Sequence, residues 1–214
     1  MNIAKTAKVL TASIGVFMSM GAVADPIGTG LDGEIDFRTA PWAACAGGTT
    51  CVIGDVTVEA GNSSGPADIY WDSTDGFGVM GGQENDEIDG PNAEFLRLVF
   101  GTPELLSGIW FSDLFSGNGD PQEAANTRII LSGGAILDFM TFGTDPMGSS
   151  NGEVFLDFGS ALLVSQILFG TPAELNDDHS VAGLVRASVP EPGTLALLGL
   201  GLAGMAMRRK QRKA

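Results

Sequence analysis

Glu94-Phe95-Leu96-Arg97-Leu98-Val99-Phe100 decides the fold class. Leu96, Leu98 and Phe100 fall on one face, and Phe95, Arg97 and Val99 on the other. A period of two is the pattern of a half-buried β-strand, because successive side chains point to opposite sides of the pleat. Gly101-Thr102-Pro103 then interrupts it, since proline removes a ladder donor.

Working outward, the same pattern recurs at short intervals. Downstream, Ser107 to Phe115 reads as a strand carrying Trp110 and Phe111, broken by Gly117-Asn118-Gly119-Asp120-Pro121. Asn126 to Leu131, Gly133-Gly134 and Ala135 to Phe142 read as a hairpin. Glu153 to Phe158, Val164 to Phe169 and Ser180 to Ala187 complete the set. Upstream lie Ile35 to Thr39, Cys51 to Glu59 with β-branched Val52, Val56 and Val58, Asp68 to Asp72, and Phe77 to Met80 after Asp75-Gly76. Gln122 to Asn126 adds at most one helical turn. About ten short strands at this spacing predict an all-β body, an antiparallel β-sandwich or jelly-roll-like fold. Val99-Phe100-Gly101-Thr102-Pro103-Glu104-Leu105 is echoed by Leu168-Phe169-Gly170-Thr171-Pro172-Ala173-Glu174-Leu175. Shared turn chemistry explains the echo better than two equivalent sheet corners, because the flanks do not match.

The two ends are of a different kind. Lys5 and Lys8 precede an apolar run, Val9 to Val23, and Ala22-Val23-Ala24 offers the small residues that a signal peptidase reads. Residues 1–24 are expected to be removed, leaving Asp25 first. The body, 25–188, holds 25 acids against Arg38, Arg97, Arg128 and Arg186, a net of −21 with no lysine. Nucleic acid and anionic lipid are excluded as partners, because both need positive charge. Cys45 and Cys51 enclose Ala46-Gly47-Gly48-Thr49-Thr50, and in an exported chain they are expected to form a local disulfide. Closing so small a loop contributes roughly 2–3 kcal/mol.

Several motifs have spacings that bear on chemistry. Gly199-Leu200-Gly201-Leu202-Ala203-Gly204 has dinucleotide-loop spacing, but it sits in an apolar segment with no downstream acid. Gly148-Ser149-Ser150-Asn151-Gly152, followed by Asp177, Asp178 and His179, has hydrolase order. Its flanks read as strands joined by a polar loop, and His179 reads as an exposed turn residue whose acidic neighbours favour its charged form. Gln83 to Gly90 is the densest acidic stretch. Its spacing does not fit the twelve-residue Ca²⁺ loop, because Leu96 stands where the closing Glu belongs. A solvated acidic loop is the simpler reading. If a cation binds, Glu84, Asp86, Glu87, Asp89 and Glu94 are the candidate ligands. Asn62-Ser63-Ser64 has a glycosylation spacing that is frequent by chance. Trp42, Tyr70, Trp71 and Trp110 would make a sugar-stacking platform if exposed and core residues if not.

The tail has three parts. Val189-Pro190-Glu191-Pro192-Gly193-Thr194 is followed by the apolar run Leu195 to Met207 and by Arg208, Arg209, Lys210, Arg212 and Lys213. As a helix that run is about 20 Å long, short of a hydrocarbon core of about 30 Å. It suits a temporary stop whose basic end stays cytoplasmic. In all three parts, 189–194, 195–207 and 208–214, the tail resembles the PEP-CTERM family of exported bacterial proteins. The resemblance implies recognition by an exosortase at Val189, Pro190, Glu191 and Pro192. It also implies a Gram-negative host that makes extracellular polysaccharide. The body would pass through the inner membrane, be anchored transiently, and be released to the envelope or matrix. The body also resembles β-sandwich domains found ahead of such tails. The matching pieces are Gly76-Phe77-Gly78-Val79, Asp86-Glu87-Ile88-Asp89, Glu94-Phe95-Leu96 with Phe100, and Asn176 to Leu184. That resemblance transfers no catalytic residue.

The expectation is therefore an exported, sorted β-sandwich with no catalysis and a structural or adhesive role at the cell surface or in a biofilm matrix. Signal peptidase and exosortase are its processing partners, and extracellular polysaccharide is its expected associate. No cofactor is required. The alternatives are a carbohydrate- or Ca²⁺-binding module and, less well supported, a secreted hydrolase using Ser150 and His179.

Overall fold

The computed structural model describes residues 34–82, 85–116, 122–146, 151–171 and 178–187. The expected signal peptide, the tail with its expected membrane segment, Glu84, Gly148 to Ser150 and Asp177 lie outside the described residues. Among the described residues, no helix is long and apolar enough to cross a membrane.

The strands are β1 (Glu34–Asp36), β2 (Thr50–Ile53), β3 (Val56–Asn62), β4 (Gly65–Pro66), β5 (Asp68–Asp72), β6 (Gly76–Met80), β7 (Phe95–Ser112), β8 (Phe115–Ser116), β9 (Ala124–Leu131), β10 (Ile136–Phe142), β11 (Asp145–Pro146), β12 (Val154–Gly170) and β13 (Ser180–Arg186). A short 3₁₀ helix, Ala40–Cys45, is the one helical element among the described residues. The body is all-β and its pairing antiparallel, apart from the small parallel β8–β11 ladder.

Two strands organise the molecule. Residues 95–100 of β7 lie between β3 and the end of β12, while residues 106–112 lie between β13 and the start of β12. The first layer runs β2-β3-β7-β12-β9-β10, and the second runs β5-β6-β13-β7-β12 with β1 also on β13. Phe111 and Phe169 show that the layers face each other. Phe169 lies in register with Leu96, fifteen residues from Phe111 along β7. On a straight strand the two would be about 50 Å apart. Their ring centroids are 6.1 Å apart, edge to face, so the β7–β12 pair folds back over itself. One sheet thus supplies both layers of the sandwich.

This corrects the count of separate short strands. The stretch 94–100 joins 107–115, and 153–158 joins 164–169, through bends at 101–104 and 158–161. Proline survives inside β7 because the ladder donors are satisfied elsewhere: Gly101 N–H donates to Asp55 O (2.8 Å) and Thr102 N–H to Asp55 Oδ2 (2.6 Å). The Gly-Thr-Pro echo has no structural counterpart, since Gly101 sits in a mid-strand bend and Gly170 ends β12. The single strand expected over 51–59 is a hairpin, β2–β3, that turns at Gly54 with φ +60°, a left-handed conformation open to glycine. Gln122 to Asn126 forms no helical turn: β9 begins at Ala124.

The core lies between the layers. Leu96, Leu98 and Phe100 point inward, as their alternation requires, and join Val58, Ile109, Phe111, Ile129, Ile167, Phe169 and Leu184. A second knot, Phe37, Trp42 and Phe77, closes the β1 end, with ring centroids 4.9–5.8 Å apart. Cys45 and Cys51 are disulfide-bonded, their Cα atoms 5.1 Å apart, and tie the 3₁₀ helix to β2.

Candidate functional site

The outer face of the first layer carries a shaped groove. Strand register places Glu59, Arg97, Leu168, Arg128 and Asp138 in one row across β3, β7, β12, β9 and β10. Arg97 Nε donates to Glu59 Oε2 at 2.8 Å, and Arg128 Nε to Asp138 Oδ1 at 2.7 Å. Phe95, Ile130, Ile136 and Gln166 lie beside this row, and together they line a groove of about 770 Å³. At its rim β10 exposes Ile136, Met140 and Phe142. Each arginine is held in a cross-strand ion pair and the groove floor is apolar. Such a face offers planar polar groups around a flat contact area. The sequence carried half of this signal, since Arg97 falls opposite the core face of its strand. The register that aligns five strands is a long-range property.

The aromatic platform does not form. Trp42 is in the core, and half-buried Trp71 donates Nε1–H to Phe37 O at 2.6 Å. Half-buried Trp110 packs on Phe155 with centroids 4.8 Å apart, and the Tyr70 hydroxyl donates to Asp72 Oδ2 at 3.2 Å. The three tryptophans share no exposed row.

The acidic residues divide into two groups. Asp72, Asp75, Asp86 and Asp113 gather at one end of the second layer. The Asp113 carboxyl is pushed up to about 8, first by burial and then by the charge of Asp75, to which it donates a hydrogen bond. Burial also raises Asp75, against the lowering effect of a hydrogen bond from Asn151 Nδ2. Asn151 and Gly152 of the Gly-x-Ser-x-Gly motif serve this corner: their carbonyls accept from Asp113 N–H (2.9 Å) and Leu114 N–H (3.1 Å).

Asp89 and Glu94 form the second group. Asp86, from the same acidic stretch, is exposed and faces the Asp75–Asp113 corner, and Glu87 is half-buried. Asp89 and Glu94 are 3% and 2% exposed. Asp89 N–H donates to Glu94 Oε2 at 3.0 Å, and Glu94 N–H to Asp89 O at 3.1 Å. Burial, then the Asp89 charge, pushes Glu94 up to about 7 against that backbone hydrogen bond. Among the described residues, no three His, Cys, Asp or Glu side chains gather as a metal set.

His179 is not the exposed, charged turn residue expected. It is fully buried against Phe111, ring centroids 5.5 Å apart, and neither ring nitrogen has a hydrogen-bond partner. Burial lowers its pKa to about 3, so it is neutral at physiological pH. The acids around it in sequence misled the expectation: Ile88 N–H binds the His179 carbonyl (2.9 Å), which draws this segment under the 85–89 loop and turns the imidazole inward.

The chain matches no curated protein and no solved structure. The family model of the PEP-CTERM protein-sorting motif matches residues 188–210, the stretch holding Val189-Pro190-Glu191-Pro192, the apolar run and the first basic residues. The match covers the tail alone: the chain carries a PEP-CTERM protein-sorting motif, the mark of an exported exosortase substrate.

Proposed function

We propose that the body is a non-catalytic structural or adhesive module of the cell surface or extracellular matrix, cut from its transient anchor after export. Signal peptidase and exosortase would process the two ends, and extracellular polysaccharide in a Gram-negative envelope is the expected setting. One observation carries the adhesive reading: the outer face of the first layer, where two Arg–carboxylate pairs flank Leu168 in a groove of about 770 Å³. Contiguous apolar surface rimmed by polar groups is a mark of an interaction site. Two observations support a role without catalysis. His179 is sealed in the core, and Asn151 is occupied in holding Asp75. The test is retention in the native host. Replacing Arg97 and Arg128 together by Ala is expected to move the secreted body from the matrix fraction to the medium, with total secretion unchanged. Unchanged retention would overturn the adhesive reading.

A further inference from the structure

Beside the loop that leads into β7, two buried side-chain oxygens have no hydrogen-bond partner. Glu94 is 2% exposed and its Oε1 has no hydrogen-bond partner. Its other oxygen is already committed to Asp89 N–H. A buried polar atom without a partner forfeits its hydration with nothing in return, at a cost of about 1–3 kcal/mol, and more when charged. Thr171 supplies a second such atom. It follows Gly170, which is in register with Phe95, so it stands across from Glu94. A Cβ on Gly170 would lie 3.5 Å from the Glu94 carbonyl, which places the two chain segments side by side. Thr171 Oγ1 is buried and also has no partner.

The Asp89 carboxylate reaches the same place from the loop. A Cβ on Gly82 would collide with Asp89 Oδ2 and stand 2.8 Å from Glu94 Oε1. Only glycine leaves both carboxylates room at this point. Two carboxylates thus converge, Asp89 from the loop and Glu94 from the entry to β7, and Thr171 follows the strand end that pairs beside Glu94. Arg38, Arg97, Arg128 and Arg186 each form an ion pair with an acid elsewhere in the body.

We propose that Asp89, Glu94 and Thr171 bind a divalent cation, with Ca²⁺ the fitting ion, which pins the 85–94 segment to the ends of β7 and β12. Carboxylate and hydroxyl oxygens suit a hard cation. Ligands drawn from separate loops suit the irregular, oxygen-rich sphere of Ca²⁺ better than the strict octahedron of Mg²⁺. Loop carbonyls and water would complete the sphere.

The test is thermal melting of the full secreted chain at pH 8, after chelation, with CaCl₂ or MgCl₂ added to about 5 mM, a range suited to extracellular Ca²⁺ modules. A cation that binds only the folded state raises its melting temperature by mass action. Ca²⁺ is expected to raise it by several degrees, and Mg²⁺ by much less. Glu94→Gln keeps the acceptor for Asp89 N–H and is expected to melt near the chelated parent while losing the Ca²⁺ shift. Thr171→Val is expected to weaken it several-fold, and Gly82→Ala to abolish it. Equilibrium dialysis with radioactive Ca²⁺ on the unmodified chain gives the stoichiometry without relying on any variant, and one ion per chain is expected. No bound Ca²⁺ and no shift in the parent would overturn the proposal, as would a Glu94→Gln chain that keeps the full shift.

Discussion

The body and the tail use positive charge in opposite ways. The body has four arginines and all four are engaged in ion pairs with acids. Arg97–Glu59, Arg128–Asp138 and Arg186–Glu104 each join neighbouring strands, and Arg38 joins the β1 end to Glu153. The tail holds five basic residues between 208 and 213, with no acid after Glu191. On the proposed reading those charges would orient a membrane segment, because basic residues stay on the cytoplasmic side. Once the tail is gone, no side-chain cation remains unpaired in the body. Its other buried acids are then served by protons, by backbone donors, by side-chain amides such as that of Asn151, or by a bound ion. Within the body the arginines serve Asp36, Glu59, Glu104, Asp138 and Glu153, whereas burial raises the pKa of the loop acids Asp75, Asp113 and Glu94.

The largest effect that would break this comparison comes from His179, the one buried base. The unfolded chain takes up its proton below about pH 6.5, while the fold resists until about 3. Its contribution is therefore fully present above pH 6.5 and is lost as pH falls through that window. Each pKa unit is worth about 1.4 kcal/mol, so the whole loss is about 5 kcal/mol, of which about 3 kcal/mol falls between pH 7 and pH 4. Urea melts at pH 7 and pH 4 are expected to show it, and His179→Leu should remove most of the acid loss.

Arg38 comes next. It is 12% exposed and serves both Asp36 and Glu153. Arg38→Met is expected to cost about 2 kcal/mol, because it leaves two partly buried carboxylates without their donor. A cost no greater than that of a fully exposed pair would show that the β1 end is not held this way.

Asp113 tests the opposite sign. Its pKa is raised in the fold, so its contribution is complete below the ordinary carboxylate range and is lost as pH rises through about 8. Asp113→Asn keeps a donor toward Asp75 and tolerates the φ of 53° found there. Relative to the parent, it is expected to gain about 1–2 kcal/mol between pH 7 and pH 9. The smallest effect belongs to the exposed pairs: Arg97→Ala should cost under about 1 kcal/mol, and less in high salt.

The sequence made the strands and their inward faces legible, because alternation such as Leu96-Leu98-Phe100 is local. The fold-back of β7 on β12 was not legible. Pro103 reads as a stop unless Asp55, 47 residues away, is known to take the freed donors. His179 was misread for a related reason: Asp177-Asp178-His179 is polar in sequence, and only the bond from Ile88 turns it inward. The acidic stretch showed that carboxylates are concentrated, but not that Asp89 and Glu94 are drawn inside while Asp86 stays exposed. Thr171 gave no sign at all, because its importance rests on its register with Glu94. The sorting tail was the most legible feature, since its three parts are read in linear order.

That order also makes the central claim measurable. The intact mass of the extracellular protein, taken from the native host with and without its exosortase, tests it most directly. With the enzyme present, the account predicts a chain that starts at Asp25 and has lost the apolar run and the basic end. An extracellular protein that still carries Arg208 to Lys213 would contradict it.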